Sequence, residues 1–145
     1  MCRTDVPQNQ AGRPPSPPFT YETATVKVKA AQDLWNTRYT AESVWRNRDK
    51  FFTGHEAIVA FLTDKWNIEN GYRLRKELLS FTDNKIAIQF WYEYHETSGQ
   101  WCRTYDLEDW TFADNGLMKK RQMSADDVKI TQEEKWFKDG VDVNR

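Results

Sequence analysis

The alternation of apolar and polar positions divides the chain into two helical stretches followed by a run of strands. Ala24, Val28, Ala31 and Trp35 recur at helical spacing, so they form one stripe of a first helix, with Lys27, Lys29, Gln32 and Asp33 on the other side. Thr20 stands where it can cap this helix, and Asn36 is a plausible stop. A short strand is predicted from Ser43 to Arg48. Thr53-Gly54-His55-Glu56 has the spacing of a capping box, with Ile58, Phe61, Leu62, Lys65 and Trp66 following at helical intervals and Asn70-Gly71 as terminator.

Beyond Gly71 the period changes from helical to twofold. Strands are predicted at 72–81, 85–95, 100–113 and 117–124, separated by Thr82-Asp83-Asn84, Thr97-Ser98-Gly99 and Asp114-Asn115-Gly116. In the second of these, Ile86, Ile88, Phe90, Tyr92 and Tyr94 share one face. Thr131 and Glu134 repeat the capping-box spacing before Trp136-Phe137, which reads as a short helix or a tail that covers strands. Helix, short strand, helix and consecutive hairpins make an α+β order, with two helices available to cover one face of an antiparallel sheet.

Composition refines this picture. Seven Trp, six Tyr and eight Phe supply a core that aliphatic residues alone would leave thin, and net charge is only -1. That balance argues against a nucleic-acid or membrane-surface binder. All five prolines fall in residues 1–18, which read as a Pro-rich N-terminal tail. Residues 19–137 read as one domain and 138–145 as a C-terminal tail. Cys2 and Cys102 make no disulfide framework, and no apolar run approaches the roughly 20 residues of a membrane helix, so the expectation is a cytoplasmic protein.

Several segments together carry a resemblance. They are Pro17-Pro18-Phe19-Thr20, Trp35-Asn36-Thr37-Arg38, Trp45-Arg46-Asn47-Arg48, Thr53-Gly54-His55-Glu56-Ala57-Ile58, Tyr92-Glu93-Tyr94-His95, Glu108-Asp109-Trp110 and Asn115-Gly116-Leu117-Met118. From about Pro14 to Phe137 the chain resembles a family of small bacterial and fungal proteins of unknown function, within the SnoaL-like, nuclear transport factor 2-like superfamily. The resemblance implies a cone-shaped roll: a strongly curved antiparallel sheet packed on N-terminal helices, with a pocket at the open end and a homodimer through the sheet. The superfamily contains polyketide cyclases, steroid isomerases and dehydratases, and also non-catalytic modules, so fold alone does not settle function. One departure stands out. Thr37-Arg38 runs straight into Tyr39, where such proteins usually carry a second short helix; about nine residues are missing, which alters one wall of the pocket.

Candidate chemistry rests on few residues. Glu93 and His95 share a strand face and could act as an acid/base pair, or simply form a polar edge. The resemblance implies a carboxylate on the long strand pointing into the pocket, and Glu108 matches best. Trp110 beside it would desolvate the carboxyl and raise its pKa; alternatively Glu108 is a buried salt-bridging group. Arg103 and Tyr105 could bind a carboxylate or polarise a carbonyl, or pair and pack across strands. Trp45, Asn47, Tyr92 and Trp110 could line a cavity suited to a small apolar or aromatic ligand, or be plain core. Only His55 and His95 are available as imidazoles, so no metal site is expected, and no phosphate-binding or dinucleotide motif implies a cofactor. The expectation is a small-molecule pocket protein, either a cofactor-free isomerase, cyclase or dehydratase working by proton transfer, or a non-catalytic binding or dimerisation module.

Overall fold

The computed structural model describes residues 14–34 and 39–144. Its elements run α1 (Tyr21–Leu34), β1 (Tyr39–Asn47), β2 (Lys50–Thr53), α2 (His55–Ile68), β3 (Asn70–Phe81), β4 (Lys85–His95), β5 (Trp101–Phe112) and β6 (Met118–Ile130). The strands form one sheet in the order β2-β1-β6-β5-β4-β3. β3 to β6 are a meander of antiparallel hairpins. The sheet as a whole is mixed rather than antiparallel, because β1 lies parallel to β6. A parallel pair needs a long connection, and here α2 and the other strands provide it. Trp35, Asn36 and the junction where a short helix was expected to be missing lie outside the described residues.

Thr20 caps α1 as its position suggests. Its hydroxyl accepts from the Thr23 amide at 3.2 Å, and the Thr23 hydroxyl accepts from the Thr20 amide at 2.8 Å. Ala24 and Val28 are fully buried. Lys27, on the side read as polar, is buried as well. Its ammonium reaches the Gly116 carbonyl at 2.8 Å and stands 5.0 Å from the Phe112 ring, so the stem covers apolar surface while the charge is satisfied.

At α2 the expected capping box does not form. Thr53 is the last residue of β2, paired with Val44, and Gly54 is the N-cap without a side-chain cap bond. The Gly54 amide donates to the Ser43 carbonyl, so the β1–β2 hairpin occupies the backbone that a capping box would use. The hairpin's second strand, β2, was not apparent from the pattern. α2 buries Ile58 and Leu62 and leaves Trp66 half exposed. It ends at Ile68, with Asn70-Gly71 already in β3. Gly71 has φ +64°, and a Cβ there would stand 3.1 Å from both the His95 and Trp101 rings, so this glycine admits the rings rather than ending the helix.

The core has two parts. One packs α1 and α2 on Trp45, Ile86, Ile88, Trp110 and Phe112; the other gathers Leu74, Phe90, Tyr92, Tyr94 and Met123 further along the same sheet face. β6 runs six residues beyond its predicted end because Ala125 to Ile130 continue the ladder with Trp101 to Asp106, although half of their side chains are polar and they do not alternate. Backbone pairing carries this stretch, so no apolar pattern announces it.

After Ile130 the chain makes turns, not a helix, and lies across the outer sheet face. The Glu134 carboxylate accepts from the Thr131 amide at 2.7 Å, so the capping-box spacing closes a turn. Glu93, fully buried, accepts from the Trp136 amide at 2.7 Å, the Phe137 amide at 3.3 Å and Arg103 Nε at 3.0 Å. Arg103 lies 3.7 Å from the centre of the Trp136 ring, and Arg73 donates to the Lys138 and Val141 carbonyls. Phe137 is buried beneath this segment. Phe137→Ala should therefore cost about 3 kcal/mol, in the range for a buried ring. Limited proteolysis should then cut the chain after Ile130 while the sheet stays folded; equal resistance of variant and wild type would show that Phe137 does not hold the segment.

Candidate functional site

The inner sheet face follows from register. Residues opposite one another in neighbouring strands point to the same side, so Glu108 aligns with Ile88 and Met123, and Asp106 with Phe90 and Ala125. Trp45, Asn47, Tyr92 and Trp110 are also buried on this side. Arg103, Tyr105, Glu93 and His95 belong to the opposite, outer face, two of them under the C-terminal segment. The structure thus separates the candidates: Glu108, Tyr92, Trp110, Trp45 and Asn47 share the interior, and the other four do not reach it.

Glu108 is the centre of a buried ionic cluster. It accepts from Trp110 Nε1 at 2.6 Å and Arg121 Nη2 at 2.7 Å, and Lys76 Nζ stands 3.5 Å away. Burial by itself would raise its pKa, but Arg121 and Lys76 outweigh that and hold the carboxyl down at about 2. The effect expected of Trp110 is therefore reversed: its N–H donates to the carboxylate rather than merely desolvating it. A carboxylate so bound is a poor general base and a strong structural anchor.

Asp106, two residues earlier on the same face, is the group that the sequence reading passed over. It is 4% exposed, and neither carboxyl oxygen has a hydrogen-bond partner among the described residues. Burial, then the neighbouring Glu108 charge, push its pKa up to about 8 against the pull of Arg121, Lys76 and Lys65. This favours its protonated form, which can donate a hydrogen bond. The signal was present in the sequence: two carboxylates at i and i+2 on one buried strand face cannot both ionise cheaply.

A cleft of about 200 Å³ opens beside α2, lined by Asn47, Arg48, Phe61, Lys65, Glu69 and Tyr92 among others. Lys65 Nζ pairs with Glu69 at 3.0 Å and lies 4.4 Å from the Tyr92 ring and 4.8 Å from that of Tyr72. Burial lowers the Lys65 pKa and raises that of Glu69, each opposed by the ion pair. The Tyr92 hydroxyl donates to Glu69 at 3.4 Å, and Arg48 pairs with Asp127 at 2.7 Å at the rim.

The outer-face candidates have other work. Both Glu93 oxygens are engaged by Arg103 and by the C-terminal segment, so Glu93 does not pair with His95. His95 Nδ1 stands 3.0 Å from the Glu96 carbonyl, and its ring meets Trp101 edge-on at 4.9 Å. Tyr105 contacts Trp136 edge-on at 5.9 Å. Among the described residues no group of three or more His, Cys, Asp or Glu side chains is placed to hold a metal ion. No helix among them is long and apolar enough to cross a membrane.

Two helices packed on a six-stranded sheet of this order make the nuclear transport factor 2-like fold. Solved structures share the fold. An NTF2-like protein of unknown function from Cytophaga hutchinsonii matches with a TM-score of 0.57 at 14% identity, over 73% of this chain and 99% of that one. A protein described as a SnoaL-like polyketide cyclase from Shewanella denitrificans matches with 0.58 at 14% identity, over 72% and 89%. A steroid delta-isomerase from Pseudomonas aeruginosa matches with 0.51 at 12% identity, over 77% and 84%. No curated protein matches the sequence. The chain belongs to the DUF1348 family of proteins of unknown function, whose model matches residues 17–138.

Two substitutions should separate the roles of the two inner carboxyls. Glu108→Ala removes the buried carboxylate that Lys76 and Arg121 share and should cost roughly 3–5 kcal/mol in urea denaturation. For Asp106 the folded pKa lies above the unfolded one, so the folded state holds the extra proton between about pH 4 and 8 and wild-type stability declines through that window. Asp106→Asn removes this titration. Its stability relative to wild type should rise by up to about 1.4 kcal/mol per pH unit across the window and level off above it. A stability difference independent of pH would show that Asp106 is ionised in the fold.

Proposed function

We propose that the protein binds a small molecule inside the cone, entering between α2 and the end of β1, and that Asp106 meets it as a protonated acid. The observation that carries this reading is the buried Asp106 carboxyl with no hydrogen-bond partner among the described residues. Buried polar groups are nearly always satisfied, and an exception calls for an explanation such as a ligand or water. A neutral carboxylic acid in an apolar-walled site can donate a hydrogen bond to a carbonyl or oxyanion and transfer a proton there. Such chemistry would suit an isomerase, cyclase or dehydratase working without a cofactor, and the similarity to a steroid isomerase and a cyclase-like protein supports it at the level of the fold. Glu69, whose pKa burial raises against the pull of Lys65, stands at the cleft wall as a second ionisable group. In this reading Asp106 takes the role first given to Glu108, Glu93 and His95, because among the described residues both of its oxygens lack the partners that hold Glu108 and Glu93.

Native mass spectrometry tests the binding reading. Protein purified from its own source should carry a small-molecule adduct. Asp106→Asn, which keeps shape and a donor, should retain it, and Asp106→Leu should lose it. An adduct unaffected by Asp106→Leu would place the ligand elsewhere. Conversion that survives Asp106→Asn would remove Asp106 from the chemistry, and a ligand that wild type binds without converting would make the non-catalytic binding module the correct form of this reading.

The homodimer enters as a second proposal, carried by the outer face. Leu107 and Val128 are about half exposed there, beside Tyr105 and a groove lined by Arg46, Gln89, Trp91 and Ser124. Apolar exposure on a sheet face fits association with a second copy. Leu107→Asp should convert a dimer to a monomer in sedimentation velocity; a monomeric wild type would end this proposal.

A further inference from the structure

We propose that the small molecule entering between α2 and the end of β1 is an alkylated amine, and that its ammonium takes the place against Tyr92 and Glu69 that the Lys65 ammonium now fills. This rests on the pocket reading above and specifies the ligand class and the group it displaces. Phe61, Asp64, Lys65 and Ile68 recur at helical spacing, so one side of α2 faces the cleft and the adjoining side, with Ile58 and Leu62, faces the core. Lys65 Nζ pairs with Glu69 at 3.0 Å and lies 4.4 Å from the centre of the Tyr92 ring, and all three residues line the cleft. Tyr72 backs them, its ring 4.8 Å from that of Tyr92 and from Lys65 Nζ. Aromatic faces beside a carboxylate are the groups that recognise an organic cation. Here they already hold one, on the flexible four-carbon stem of a lysine.

The balance of charge in the cleft agrees with a cation. Arg48, at the rim, is answered by Asp127 at 2.7 Å. With Lys65 swung out, the lining presents Asp49, Asp64 and Glu69 against Lys50, so a positive ligand restores the charge that Lys65 withdraws. Burial lowers the Lys65 pKa despite Glu69, so its ammonium is held there at a cost and regains hydration in water. A tertiary ammonium fits the place better: its alkyl groups lessen the hydration it gives up and lie on the Tyr92 face, and its one N–H still donates to Glu69. Phe61 and Ile68 offer apolar wall to the rest of the molecule. The cleft, at about 200 Å³, falls below the roughly 300–1,000 Å³ of pockets for drug-sized ligands, which points to a single ring or a short alkyl chain.

Displacement leaves two marks that binding beside Lys65 would not. Lys65 is tethered, so it competes for Glu69 and Tyr92 at an effective concentration on the order of millimolar. A free amine therefore binds wild type weakly, and removing the Lys65 side chain strengthens binding without adding a contact. Displacement also carries the Lys65 amine, whose side chain is only 9% exposed, into water where it can react.

Titration calorimetry of the full chain at pH 7 with N,N-dimethylbenzylamine, against the neutral N,N-dimethylbenzamide, tests the inference. The amine should bind Lys65→Ala at least about tenfold more tightly than wild type, while the amide should gain less than about threefold. A second measurement uses wild type alone and does not need the variant to fold. Saturating amine should raise the rate at which acetic anhydride labels Lys65 severalfold, read by mass spectrometry. A labelling rate unchanged by bound amine, or an amine that binds Lys65→Ala no more tightly than wild type, would overturn the displacement. An amide that binds as tightly as the amine would overturn the ammonium assignment and leave the pocket reading standing. Failure of both probes to bind wild type and Lys65→Ala would overturn the assignment and the accessible cleft on which it rests.

Discussion

The ion cluster around Glu108 is the constraint on which the interior depends. One carboxylate joins Trp110 on its own strand, Arg121 on β6 and Lys76 on β3, so three strands of the sheet meet at a single buried charge. Such a cluster is costly to desolvate and contributes little net stability over an apolar replacement. What it supplies is geometry. Arg121 lies against the Trp45 ring at 4.7 Å and Lys76 against the Phe90 ring at 4.2 Å, so the cations are held by aromatic faces as well as by Glu108. With these side chains locked, the inner face of β3, β5 and β6 keeps its shape.

The same cluster explains why Asp106 remains a neutral acid. Glu108 uses its position between the cations to stay ionised, and the second carboxyl is left with burial and a like charge. Two chemically similar groups on one strand face thus end far apart in pKa. Separation of this kind is what acid/base sites require, and it arises from unequal access to the same cations. The cost is borne as stability that declines with rising pH, a strain that the fold tolerates because the sheet, the helices and the C-terminal segment over-determine it.

On the outer face, Glu93 does for the C-terminal segment what Glu108 does for the interior. It gathers two backbone amides and Arg103, and thereby turns an irregular tail into a fixed cover over one end of β4 and β5. Glu93 and Glu108 are both fully buried in the middle of long strands, yet neither is free for chemistry. A buried carboxylate attracts attention as a catalytic candidate, but the test is what its oxygens already hold.

Local pattern determined most of the secondary structure. The strict alternation from Lys85 to His95 allows only a strand, and the Asp114-Asn115-Gly116 turn and the Ala24–Val28 stripe are local consequences of backbone sterics and burial. The family motifs carried the fold class. Alternation also assigned Glu108 and Arg103 to opposite faces. It could not say which face was interior, because both are buried here, one by helices and one by the tail. Three matters waited on tertiary structure, each for a physical reason. The parallel β1–β6 pairing joins residues about 75 positions apart in the chain, such as Ser43 and Met118, and no local signal encodes it. The capping box at Thr53 lost to a hairpin that claimed the same backbone. The ionisation of Asp106 and Glu108 depends on where Arg121, Lys76 and Lys65 arrive from three other elements, and charge in a low-dielectric interior is set by neighbours in space rather than in sequence.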